Sequence, residues 1–233
     1  MKALAAVLLC AAAGPARAAA AGPADPLSAA FEQARQDARA FDEEGDDLEF
    51  QGFAPLACRK ASRAQLAEVD RGNALKSRFL EACAASGAAA RWCDEVIRPN
   101  PESRASFRCT YGLAQPHQLI DPDPKTWTHA FQALRLVGEL DAEGIRVCLI
   151  NNWWRPEPYN RNVGGARGRH PFGTAVDVKF CTMADKEKAF ASLCRRRRQG
   201  RLRALGYYPG SLVLHLGVGD RKANTWGKDC PSR

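Results

Sequence analysis

The most regular alternation of apolar and polar positions lies in the second half of the chain. From Trp127 to Leu140, Phe131, Leu134, Val137 and Leu140 recur at helical spacing, and Gly144 follows as a stop signal. Ile145 to Ile150 is a β-rich apolar run that predicts a strand. A Pro-, Asn- and Gly-rich loop over 155–169 leads to a second strand, Thr174 to Phe180. Alternation there sets Val176, Val178 and Phe180 on one face and Ala175, Asp177 and Lys179 on the other, so Asp177 points away from the core side. Ala184 to Cys194 reads as a helix, and Leu212 to Leu216 as a strand in which His215 shares a face with Val213. This half is therefore expected to be α+β.

The first half reads differently. Leu27 to Phe41 has helical spacing and ends in an acidic loop over 42–47. Ala61 to Ile97 predicts two or three short helices carrying Cys83 and Cys93, and Pro99-Asn100-Pro101 is the best candidate boundary. Before all of this, Met1-Lys2, an apolar stretch from Ala3 to Ala13 and Ala16-Arg17-Ala18 have the layout of a cleavable signal peptide. The expected organisation is a signal peptide over 1–18, a helical, cysteine-containing extension over 19–100 and a catalytic-type domain over 101–233. No segment has transmembrane length, so the expected product is exported, to a periplasm or the exterior, without membrane insertion.

Cysteine usage agrees with export. Of the nine cysteines, Cys10 falls in the leader, and the remaining eight are an even set in a compartment that permits disulfides. No C-x-x-C pair occurs, so structural bridges are favoured over a cysteine zinc site. The formal charge is +8, and loss of Lys2 and Arg17 leaves +6. That suits an anionic envelope polymer and gives no pointer to nucleic acid. Arg195 to Arg198, with Arg201 and Arg203, falls just after the predicted helix and reads as a solvated helix end rather than a polyanion patch.

The candidate chemistry is concentrated in three residues. His170 and Asp177 stand seven positions apart across a glycine-containing turn that enters a strand, and His215 sits in a second strand. Two imidazoles and a carboxylate suit Zn²⁺ with one position left open. Gly173 and Ala175 leave room at such a site, and Arg155 is a cation for a substrate carboxylate or a developing oxyanion. Trp153 and Trp154 read equally as an aromatic substrate wall or as core. His117 reads as a satisfied loop histidine and His129 as a structural helix residue.

These residues carry a family resemblance. Arg155-Pro156-x-Pro158-Tyr159-Asn160, then Gly164-Gly165-Ala166, then His170-x-x-Gly173-x-Ala175-x-Asp177 resembles the zinc D-alanyl-D-alanine peptidases and murein endopeptidases, which share a fold with the Hedgehog signalling domain. Gly206-Tyr207-Tyr208-Pro209, Leu214-His215-Leu216-Gly217, Arg221 and Trp226 are similar to the end of that domain. The resemblance covers about residues 125 to 227. It implies a small antiparallel sheet with flanking helices, Zn²⁺ held by His170, Asp177 and His215, and peptidoglycan stem peptides or cross-links as substrate. It also implies Arg155 as a catalytic and substrate-contacting residue, with Tyr159 and Trp154 beside it at the substrate. Carboxypeptidase and endopeptidase types both stay open.

The chain departs from that pattern at the general base. Gly168 stands where many relatives have Ser, Gly217 where one branch has Asp, Val213 where another has His, and 208–214 contains no acid. Asp220, Glu157 and His117 are the candidate substitutes, and Asp220 is the expected catalytic acid/base. The rival expectation is a metal-binding cell-wall module that has lost turnover.

Overall fold

A computed structural model describes residues 58–112, 117–220 and 223–231. The expected leader, the helix at 27–41 and the acidic loop lie outside the described residues.

Three helices follow one another: α1 (Arg63–Ala74), α2 (Lys76–Ala85) and α3 (Ala90–Val96). Ser62 and Gln65 form a reciprocal capping box at the start of α1, satisfying two N–H groups that the helix leaves unpaired. A 3₁₀ turn, Pro101–Ser103, then feeds α4 (Arg104–Tyr111). The long helix α5 (Trp127–Ala142) is followed by strand β1 (Val147–Asn152), and a single turn, α6 (Tyr159–Asn162), interrupts the loop after it. Strand β2 (Ala175–Phe180), helix α7 (Met183–Arg198), and strands β3 (Ala204–Tyr207), β4 (Val213–Gly217) and β5 (Thr225–Trp226) complete the fold.

The stripe expected on α5 is its buried face, with Leu134, Val137 and Leu140 fully enclosed and Phe131 at the margin. Helix α2 joins the same core: the Phe79 ring packs against Trp127 at 5.4 Å and Trp153 at 5.3 Å between centroids. Four disulfides fasten these parts, Cys58–Cys109, Cys83–Cys93, Cys148–Cys181 and Cys194–Cys230, with Cα separations of 5.0 to 6.2 Å. Cys148–Cys181 clamps β1 to the end of β2, the strand that carries Asp177. No helix among the described residues is long and apolar enough to cross a membrane.

The five strands form one sheet in the order β1-β2-β4-β3-β5. The first three pairings are antiparallel, but β5 runs parallel to β3, so the sheet is mixed rather than wholly antiparallel. The cause is the chain's path after β4, which crosses to the outer edge of β3 and returns in the direction of β3. Its product is a single row of register partners across every strand: Asn152, Asp177, His215, Gly206 and Trp226. Residues opposite one another on neighbouring strands share a face. Gly206 is the gap in this row, because a Cβ there would fall inside the Trp226 indole.

A second correction concerns the arginine run. Helix α7 does not stop at Cys194 but includes Arg195 to Arg198 as its last turn. Arginine is a good helix former, and a basic last turn complements the helix dipole. Glu139 and Glu143, one turn apart at the end of α5, supply the other half: Arg196 Nε lies 2.9 Å from Glu139 and its Nη2 2.5 Å from Glu143. Arg196 is only 8% exposed and forms an inter-helix lock, whereas Arg195 and Arg198 of the same turn are exposed, so the expected solvated end holds for part of the run.

Candidate metal centre

The loop before β2 closes on itself through a 3₁₀ turn, His170–Phe172, ended by Gly173 in the left-handed region at φ 62°. Trp153, just past β1, grips this turn at both ends. Its indole Nε1 donates to Gly173 O at 2.9 Å, and its carbonyl accepts from His170 Nδ1 at 2.7 Å. Arg155 N donates to His170 O at 3.1 Å. A carbonyl can only accept, so His170 carries its proton on Nδ1 and presents a lone pair at Nε2.

That Nε2 faces Asp177 Oδ2 at 3.1 Å, and Asp177 Oδ1 accepts from His215 Nδ1 at 2.9 Å. The two imidazole rings stand edge to face, 5.0 Å between centroids. Ligand-type atoms of His170, Asp177 and His215 all lie within 4.8 Å of one another, and the three residues are 2%, 5% and 2% exposed. Two imidazole nitrogens at this cluster, His170 Nε2 and His215 Nε2, are buried without a hydrogen-bond partner, and Asp220 Oδ2 beside them has none besides its ion pair with Arg169. Buried polar atoms are rarely left so, because each forfeits its solvation. Two imidazoles and a carboxylate with orphaned atoms fit a divalent metal ion, and among the described residues this is the one such cluster.

Electrostatics keep the donors ready. Burial, then the Arg155 charge, push His170 down to about 4, so it stays neutral near pH 7. Asp177 is held well below the usual carboxylate range: burial pushes it up, but the two histidines and Arg155 outweigh that. His215 goes the other way: burial pushes it down, but the hydrogen bond to Asp177 and the nearby Asp220 carboxylate outweigh that and raise it. A metal ion binding there must displace the proton that these carboxylates favour.

Asp220 is the acid that sequence spacing did not place. Thr174 Oγ1 donates to its Oδ1 at 2.8 Å, Arg169 Nε lies 3.2 Å from Oδ2, and His215 Nε2 lies 3.7 Å from the same oxygen. It fits because Gly217 has no side chain: a Cβ there would collide with Oδ2 and stand 2.8 Å from Ala204 Cβ. Position 217, which lacks the acid of one peptidase branch, is thus the space into which Asp220 folds from three residues downstream. Arg169 in turn stacks on Trp226 at 3.9 Å, and the Trp226 ring lies 4.9 Å from that of His215. Thr174 and Arg169 were not singled out in the sequence, although both flank the His170 turn.

The other candidates fall in different places. Arg155 joins the cluster, with Nη1 3.7 Å from Asp177 Oδ2 and Nε buried without a partner. Trp154 and Tyr159, expected at the substrate, are packed into the core: Trp154 Nε1 donates to Pro171 O at 3.2 Å, and Tyr159 meets Ser103 Oγ at 2.5 Å amid Phe107 and Tyr111. Trp153 is likewise core, not a substrate wall. Glu157 accepts from Asn160 Nδ2 within the loop, and His117 pairs with Asn73 of α1 at 2.6 Å. His129 is half-buried against Gly219, and burial lowers it.

A comparison with protein-family models, characterised proteins and solved structures gives no match, so what this cluster does is argued from its own atoms.

Proposed function

We propose that the chain is an exported, zinc-dependent hydrolase of amide bonds in the peptide stems or cross-links of peptidoglycan. The observation that carries this reading is the convergence of His170, Asp177 and His215 in one buried cluster, with Asp220 Oδ2 3.7 Å from His215 Nε2. The motif resemblance to zinc D,D-peptidases and murein endopeptidases supports the choice of metal and substrate, and the basic charge suits an anionic polymer. Four disulfides are in keeping with an oxidising compartment.

Zinc, when bound by His170, Asp177 and His215, supplies a Lewis acid that polarises the scissile carbonyl and makes water easier to ionise. The residues around it divide the remaining work. Arg155 offers buried N–H donors beside Asp177, where negative charge on the carbonyl oxygen is stabilised. Asp220 holds a carboxylate oxygen at the cluster, 3.7 Å from His215 Nε2 and ion-paired with Arg169, and it accepts a proton there and returns it to the leaving amine. Thr174 and Arg169 keep that carboxylate from rotating away. Trp153 fixes the His170 ring.

The test is metal content together with release of muropeptides by the oxidised chain, beside a His170→Ala/His215→Ala double variant. About one zinc per chain is expected, with cleavage that the double variant abolishes. Zinc without cleavage would support the rival, in which Asp220 braces His215 in a binding module. Folded protein with neither would remove the metal reading altogether.

A further inference from the structure

A cleft of about 340 Å³ opens beside the cluster. Pockets for small molecules are mostly apolar, whereas Val163 is the one apolar residue lining this cleft. Its ligand must therefore be strongly polar. One wall is Asn152 and Arg155. Asn152 is the register partner of Asp177, and Arg155 reaches to 3.7 Å from the Asp177 carboxylate, so this wall leads directly to the metal-ligand row.

The facing wall is Asn100, Glu102 and Ser103, on the 3₁₀ turn and its cap ahead of α4. It lies outside the stretch that resembles the peptidases. Its position is fixed by two contacts. Ser103 Oγ meets the buried Tyr159 hydroxyl, and Glu102 Oε1 pairs with Lys179. Lys179 stands two residues beyond Asp177 on the same face of β2, about 7 Å along the strand. The cleft thus sets a guanidinium on one side against a carboxylate on the other, with neutral amides between them.

We propose, building on the amide-hydrolase reading, that this cleft is a subsite for a zwitterionic amino-acid head group. The α-carboxylate sits on Asn152 and the edge of Arg155 turned away from Asp177, and the α-ammonium shares the Glu102 carboxylate with Lys179. An amide at the far end of the ligand's side chain then lies toward His170, Asp177 and His215. Tyr159 acquires a role through this arrangement as a positioning residue, holding the Glu102 turn through Ser103. Glu102 is the specificity determinant, and it comes from the segment that precedes the peptidase-like motifs.

The experiment is calorimetric titration of the full, oxidised chain with Nε-acetyl-lysine, which carries both charges of the head group and a distal amide. Nα,Nε-diacetyl-lysine lacks the α-ammonium, and Nε-acetyl-lysine amide lacks the carboxylate. The expected result is that Nε-acetyl-lysine binds about 10-fold or more tightly than either analogue. Glu102→Gln removes the advantage over Nα,Nε-diacetyl-lysine and leaves zinc affinity as it was. Asn152→Leu weakens Nε-acetyl-lysine and Nα,Nε-diacetyl-lysine alike. Equal binding of the three probes, no binding of any, or a preference that survives Glu102→Gln would overturn the subsite. Muropeptide cleavage without selective binding would sink the subsite and keep the hydrolase, whereas selective binding without cleavage would do the reverse.

Discussion

Two regions of this molecule bury charge, and they treat it in opposite ways. Between α5 and α7, Arg196 spends its donors on Glu139, Glu143 and Ser192, and Arg201 takes up the rest of Glu139. Lys186 nearby is equally well served, its Nζ donating to Tyr208 O and Ser211 O at 2.7 and 2.6 Å. At the His170–Asp177–His215 row, in a setting drier than that of Arg196, two imidazole nitrogens have no hydrogen-bond partner, and the neighbouring Asp220 Oδ2 has only the Arg169 ion pair at 3.2 Å. A structural ion pair is satisfied within the chain. A site arranged for a ligand is satisfied only when the ligand arrives. The contrast separates the candidate centre from ordinary buried polarity more sharply than residue type does.

The most direct way to break the comparison is to fill the space that admits Asp220. Asp220→Asn keeps the shape and removes the proton acceptor. It is expected to leave zinc affinity within about 10-fold of the parent while slowing hydrolysis by about 10²–10⁴-fold. Gly217→Ala should reproduce the rate loss from the other side, because the new Cβ meets Asp220 Oδ2 and Ala204 Cβ. The same overpacking should cost about 1–3 kcal/mol of stability, read by denaturant titration. Full activity in Asp220→Asn would make this acid a brace for His215 rather than a proton carrier.

The two regions should also part company in acid. His215 is raised by Asp177 and Asp220, so protons compete with zinc for it as pH falls through neutrality. Zinc affinity, measured against a competing chelator, is expected to drop by about 10-fold or more between pH 8 and pH 6. The α5–α7 lock should not respond in that window. Its carboxylates are depressed, Glu139 chiefly by Arg201 and Glu143 by Ser192 and then Arg196. Their contribution is complete above the unfolded value near 4.5 and is lost only as pH falls through their lowered folded values. Equal pH responses in the two measurements would erase the distinction.

Much of this was legible beforehand, for physical reasons that differ by element. The stripe on α5 and the alternation in β2 are periodic, and both gave the right element; in β2, however, both faces are buried, Asp177 at 5% exposure as well as Val176 and Val178. The ligand cluster followed from spacing, because a turn closed by Gly173 brings His170 back beside a strand residue seven positions on. Three things were hidden. Strands β3 and β5 have four and two residues, too short for a period to register. The helical character of Arg195 to Arg198 depended on Glu139 and Glu143 from another helix. Asp220 was named among the candidate bases, but its approach to His215 depended on an absent side chain at Gly217, a cavity that no local pattern reveals. Trp154 and Tyr159 looked exposed because they flank a polar loop, yet their polar atoms find Pro171 and Ser103 and leave the rings free to bury.

The finest test of the comparison lies within the satisfied region itself. Arg196 and Arg201 both bind Glu139, but their side chains are 10% and 45% exposed. Truncating Arg196 to Ala removes its ion pairs to Glu139 and Glu143 and a buried bond to Ser192, although Glu143 keeps Ser192 and Arg195, so about 1–3 kcal/mol should be lost. Arg201→Gln removes an exposed pair whose attraction is largely screened by water, and it should cost under about 1 kcal/mol. Chemical denaturation of the two variants reads this difference, with zinc affinity unchanged in both, since neither arginine touches the ligand row. Equal losses would mean that burial does not set the strength of this network. A loss of zinc affinity in Arg196→Ala would mean that the helix lock and the metal row are one mechanical unit, joined through α7 and the sheet it covers.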